Sequence, residues 1–145
     1  MNTELRAEPL DFDLYGLSAK VLDHDYAGTG TRLMGEVAEK MKEAGLSYRG
    51  VECWVYETST DVFIGSHHDD SPRVSGFLEH KVLRLTKYLY YRHVGPSDSL
   101  GDVHRGLENE ISERGLTETG PRIEKYGKWD PDPSQLVTEV YIGLA

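Results

Sequence analysis

Val137-Thr138-Glu139-Val140-Tyr141-Ile142-Gly143-Leu144 alternates as a half-buried strand does, with Thr138, Val140 and Ile142 on one side and Glu139 beside Tyr141 on the other. A carboxylate stands where an apolar residue would be the less costly choice. The pattern has an earlier counterpart in Thr60-Asp61-Val62-Phe63-Ile64-Gly65, where Asp61 is the acid and Phe63 the aromatic residue on its face. Two such strands in one short chain predict a duplicated unit whose acidic strands look into a shared site.

Working outward from these strands, Glu43-Ala44-Gly45-Leu46 recurs as Glu113-Arg114-Gly115-Leu116, and the same offset pairs Gly50 with Gly120 and Tyr56 with Tyr126. Apolar residues at helical spacing precede each Gly-Leu: Leu33, Met34, Val37, Ala38 and Met41 from Thr31 to Ala44, then Leu100, Val103, Leu107 and Ile111 up to about Arg114. Each glycine then serves as a helix stop. Phe12 to Leu22, Val51 to Tyr56 and Pro121 to Gly127 read as strands, and Leu78 to Val94 as one extended strand or two short ones. Residues 1 to 10 read as a poorly fixed lead-in, and His67 to Pro72 as a polar linker. The expected fold is α+β, a tandem repeat of two strand-helix-strand-strand units forming one antiparallel sheet with two helices on one face. All 145 residues form a single domain, with repeat units at about 11–70 and about 78–145.

Composition narrows the function. Charged residues make up 28% and hydrophobic ones 38%, in the range of a globular chain. No apolar run reaches the roughly 20 residues of a membrane helix, and Met1 to Leu10 lacks the pattern of a signal peptide, so the expected location is cytoplasmic. A net charge of -9 argues against nucleic acid as partner. The single cysteine, Cys53, excludes a disulfide framework and a multi-thiolate zinc site, and no cofactor is implied.

With Val140, Ile142, Val62, Ile64, Val51, Cys53, Val55 and Ile123 packed beneath the helices, the opposite face presents Glu52, Trp54, Tyr56, Asp61, Phe63, Tyr88, Tyr90, Glu124, Tyr126, Glu139 and Tyr141. Such an aromatic trough with carboxylates suits a flat cation, because ring faces are negative and a carboxylate in apolar surroundings takes up a proton or a cation. The loop Lys128-Trp129-Asp130-Pro131-Asp132-Pro133 adds Trp129 as a lid over one end of the trough, or is an ordinary proline-stiffened hairpin loop. The faces follow from alternation alone, and a slip of one residue exchanges the core set for the site set.

Tyr88-Leu89-Tyr90-Tyr91-Arg92-His93-Val94-Gly95-Pro96, the helix ending Glu113-Arg114-Gly115-Leu116, then Gly120-Pro121 and Leu136-Val137-Thr138-Glu139-Val140-Tyr141-Ile142 resemble the GyrI-like small-molecule-binding domain. That family includes the effector-binding domains of AraC-type and MerR-type regulators. The resemblance implies tandem SHS2 units and a groove in which Glu139 receives the cationic or polar part of a lipophilic compound. Together with the trough read from alternation and the Trp129 loop, the expected ligand contacts are Glu139, Tyr141, Tyr126, Tyr90, Tyr88, Trp54, Tyr56, Asp61, Phe63 and Trp129. Lacking length and charge for a helix-turn-helix domain, the chain is expected to be a stand-alone binding protein, monomeric or homodimeric, that senses or sequesters its ligand. Trp54 and Asp61 also suggest the branch that hydrolyses cyclopropyl-containing DNA alkylators, with Glu139 and Asp61 as catalytic candidates orienting a water. The family's gyrase-inhibitor name supplies a third reading, an inhibitor of a protein target.

Other candidates are weaker. His104 and Glu108 lie one helical turn apart but lack a third metal ligand nearby in sequence. His67-His68-Asp69-Asp70 reads as a solvated linker, and Gly28-Thr29-Gly30 as the turn that enters the first helix.

Overall fold

Asp25 starts the first helix. In the computed structural model, which describes residues 1–58 and 60–145, its carboxylate accepts the Gly28 N–H at 2.9 Å and caps α1 (Tyr26–Glu43). The helix therefore begins earlier than the Thr31 start read from sequence and runs through Gly28-Thr29-Gly30. Leu33, Val37 and Met41 bury one stripe. The helix stops at Gly45, whose φ of 71° lies in the left-handed region, and the Leu46 N–H closes onto the Met41 carbonyl at 2.9 Å. The third helix, α3 (Leu100–Glu113), ends in the same way, with Gly115 at φ 64° and the Leu116 N–H on the Ile111 carbonyl at 3.0 Å. Between them lies one helical turn, α2 (Ser71–Val74).

The strands are β1 (Thr3–Arg6), β2 (Leu10–Lys20), β3 (Cys53–Thr58), β4 (Asp61–Ser66), β5 (Glu79–Leu85), β6 (Tyr88–Val94), β7 (Glu118–Tyr126) and β8 (Val137–Leu144). They belong to two compact units, Leu10–Arg84 and Met1–Pro9 with Leu85–Ala145. Within the first unit the strand order is β3-β4-β2-β5, and within the second β7-β8-β6-β1. The pairs β2–β4, β3–β4, β1–β6, β6–β8 and β7–β8 are antiparallel, so the α+β class holds, with α1 laid on the strands of the first unit and α3 on those of the second.

The repeat is fuller than its sequence matches suggest. Each strand-helix-strand-strand set carries a fourth strand in the equivalent outer place, β5 in the first unit and β1 in the second. The N-terminus is thus no loose lead-in: Thr3 to Arg6 pair with Tyr91 to Tyr88, and the Thr3 hydroxyl donates to Glu110 of α3. Likewise the region after Asp70 is more than a linker, because Val74 and Leu78 are buried in the core beneath α1 with Leu33, Val37, Met41, Val62 and Ile64. The second core unites Leu89, Val103, Leu107, Ile111, Val140, Ile142 and Leu144.

Register sets which side chains share a face. β4 and β8 have the faces expected of them, with Val62, Ile64, Val140 and Ile142 under the helices. β3 and β7 have the opposite ones. Trp54 pairs with Ile64 and Tyr56 with Val62, so both aromatics lie beneath α1, while Cys53 and Val55 face away with Phe63. Equivalently, Glu124 pairs with Val140 and Tyr126 with Thr138 on the α3 side, and Ile123 faces away beside Tyr141. Alternation alone leaves this choice undetermined, because Cys53, Val55 and Ile123 are as buried as any helix-side residue.

Gly30 is what lets a tryptophan fit under α1: a Cβ there would meet the Trp54 ring at 2.3 Å. Gly30→Val is expected to cost about 1–3 kcal/mol by overpacking. Trp54→Ala should then cost less in the Gly30→Val background than alone, measured as a double-mutant cycle by urea unfolding. Additive losses would contradict this packing.

Candidate functional site

The face of the second unit turned away from α3 gathers side chains from four strands: Glu4 and Arg6 from β1, Tyr88, Tyr90 and Arg92 from β6, Glu139 and Tyr141 from β8, and Ile123 and Lys125 from β7. At its centre the Tyr90 hydroxyl donates to Glu139 Oε2 at 2.6 Å, and the Tyr141 hydroxyl donates to the same oxygen at 3.3 Å. The Tyr141 ring lies 5.2 Å from that of Tyr90 and 5.9 Å from that of Tyr88. Tyr88, Tyr90 and Tyr141 are buried and Glu139 is half-buried. Arg92 and Lys125 are the cross-strand neighbours of Glu139. Neither forms an ion pair with it among the described residues.

Arg6 covers the edge of this cluster. Its Cζ stands 3.8 Å from the centroid of the Tyr90 ring, and its Nε donates to Glu4 Oε2 at 2.8 Å. The Glu4 hydrogen bond holds the guanidinium pKa above its ordinary value; burial opposes this and the Tyr88 hydroxyl adds to it.

The phenols are kept neutral. Burial first, then the hydrogen bond to Glu139, pushes Tyr90 up to about 12, and burial followed by the Glu139 charge also raises Tyr141. Folding favours the protonated phenols, so their contribution to stability is complete below the unfolded pKa near 10 and is lost as pH rises through about 12. In an absorbance titration, Tyr90 and Tyr141 are expected to ionise above the ordinary tyrosine range. Glu139→Gln should bring Tyr90 down toward the ordinary range. An unchanged alkaline branch in that variant would contradict the contact.

Of the remaining residues expected at the site, Trp54, Tyr56 and Tyr126 are on the helix side of their own units. Trp54 and Tyr56 sit in the core beneath α1, with ring centroids 6.4 Å apart and Tyr26 5.7 Å from Tyr56. Tyr126 is on the α3 side, where its hydroxyl donates to Glu124 Oε1 at 2.7 Å. Phe63 is buried in the first unit, with Lys81 Nζ 5.7 Å from its ring centroid. Asp61 stands 3.7 Å from Lys20 Nζ. Trp129 is 81% exposed. Conversely, sequence reasoning missed Glu4, Arg6, Arg92 and Lys125; a signal was present in Thr3-Glu4-Leu5-Arg6, whose charges alternate with less polar residues.

His104 belongs to a polar network beneath α3. Its Nε2 lies 2.8 Å from Glu124 Oε2, and Arg122 Nη1 lies 3.3 Å from its Nδ1. Arg122 also pairs with Glu108 at 3.1 Å and Glu118 at 2.7 Å. A guanidinium thus occupies the space between His104 and Glu108 where a shared metal would have to bind. Among the described residues no three His, Cys, Asp or Glu side chains are grouped to hold a metal ion, and no helix is long and apolar enough to cross a membrane.

Fold and cluster together define an α+β domain with the architecture of the GyrI-like domain that its sequence motifs resemble. Among solved structures the chain is similar to SAV2435 bound to tetraphenylphosphonium, with TM-score 0.66 and 16% identity over 100% of this chain and 94% of that one. It is also similar to the EcmrR C-terminal domain, with TM-score 0.66, 17% identity and coverage of 100% and 99%. A hydrolase from Listeria innocua is more distant, with TM-score 0.51, 13% identity and coverage of 99% and 91%. At these identities the likeness is one of fold. No protein-family model and no curated protein matches the sequence.

Proposed function

We propose that this chain binds a lipophilic aromatic cation at the Tyr88, Tyr90, Tyr141 and Glu139 cluster. One observation carries the reading: a half-buried carboxylate stands among phenol rings, and its hydrogen bonds among the described residues come from the neutral hydroxyls of Tyr90 and Tyr141. Its charge is left for a ligand to neutralise, while the rings offer apolar area and negative faces. A similar fold in SAV2435, solved with tetraphenylphosphonium, supports the same ligand class. The proposed role is sensing or sequestration.

Hydrolysis by Glu139 with a water is the weaker reading. Both phenols donate to the same oxygen, Oε2, so the lone pairs of that oxygen are engaged by Tyr90 and Tyr141 and not by a water. Inhibition of a protein target has no residue arrangement in its favour. The test is calorimetric titration with tetraphenylphosphonium and with a neutral polyaromatic compound of similar size. Saturable binding of the cation with weaker binding of the neutral compound supports the reading, and equal binding of both removes its electrostatic part.

A further inference from the structure

The ring face that a cation would use is already taken. Arg6 holds its guanidinium 3.8 Å from the Tyr90 centroid, within the range of a cation–π contact, and Tyr90 is only 8% exposed. The contact is built by register: Arg6 pairs across the strand with Tyr88 and Glu4 with Tyr90, which places both charged residues on the face of Glu139 and Tyr141. Glu4 orients the guanidinium by accepting from Nε at 2.8 Å. β1 is four residues long and lies in the outer place of its unit, so a shift of the Arg6 side chain uncovers the Tyr90 ring on which it lies.

From this geometry we infer that Arg6 is a resident cation of the binding face, a specificity-determining residue that an incoming ligand must displace from Tyr90. The inference rests on the proposed cation site. It narrows the ligand class, because a small alkylammonium gains little beyond what the guanidinium already contributes. A ligand with several aromatic rings adds ring-to-ring contact with Tyr88 and Tyr141, where the guanidinium engages the Tyr88 hydroxyl, and therefore wins the exchange.

The deciding variant is Glu4→Gln combined with Arg6→Gln, which leaves the net charge as it was and so separates occupancy from long-range attraction. Calorimetric titration with tetraphenylphosphonium would compare it with the wild type, with Glu139→Gln and with the triple variant. Removing the competitor is expected to tighten binding by about tenfold, the equivalent of one cation–π contact, and the gain should require Glu139. If the wild type binds through Glu139 and the double variant binds equally or more weakly, the role of Arg6 is overturned while the site stands. If none of the four proteins binds the cation, the site itself is overturned and the role of Arg6 with it.

Discussion

Glu139→Gln is expected to weaken tetraphenylphosphonium binding by about tenfold to a hundredfold, because it removes a full charge a few ångströms from the ligand in a partly desolvated setting. The amide oxygen still accepts from Tyr90 and Tyr141, so the frame of the site survives the change. Loss of binding would therefore report charge rather than collapse. A neutral polyaromatic ligand should change by no more than about twofold on the same argument. The cross-strand cations Arg92 and Lys125 oppose an incoming cation, and their partial screening of Glu139 sets the upper limit of the effect. Salt should reduce the gap between the two ligands, since part of the attraction is exposed to solvent.

On the other side of the same sheet, Glu124→Ala is expected to lower the unfolding free energy by about 3 kcal/mol. Glu124 is 4% exposed and joins His104 at 2.8 Å to the Tyr126 hydroxyl at 2.7 Å. Its removal leaves two half-buried polar groups without that partner and a cavity under α3. Lys125→Ala, one residue along and on the opposite face, should shift the urea midpoint little, because Lys125 is exposed. Equal, small effects at the two positions would mean that β7 does not present Glu124 to the helix.

The contrast between these neighbouring residues shows where sequence is legible and where it is not. In β8 the alternation is unequal, with Val140 and Ile142 against Glu139, and a helix can only take the apolar side. β3 offers Cys53 and Val55 against Trp54 and Tyr56, two sets that can each pack on apolar neighbours, and the first is buried while the second is half-buried beneath α1. What decides is a partner distant in sequence: Gly30 leaves a flat place on α1 that a tryptophan ring fills. That glycine looks like a turn residue when α1 is started at Thr31, so the clue and the error come from the same stretch. In β7 the polar pair Glu124 and Tyr126 looks solvent-facing until His104 supplies a partner for Glu124 from α3.

The N-terminal strand was hidden for a different reason. Four residues with two charges give too short a pattern to separate a strand from a tail. Its place follows from pairing with β6, whose sequence was read correctly as strand. Thus Glu139, Tyr90 and Tyr141 could be grouped from alternation on β6 and β8, whereas Arg6 could be added only through tertiary pairing.

A crystal structure grown with tetraphenylphosphonium would locate the ligand directly. Density for the phosphonium against Tyr90 and Tyr141, beside the Glu139 carboxylate and with the Arg6 side chain moved off the Tyr90 ring, is the expected result. Density packed instead against Trp54 and Tyr56 beneath α1, with Tyr90 still covered by Arg6, would contradict it.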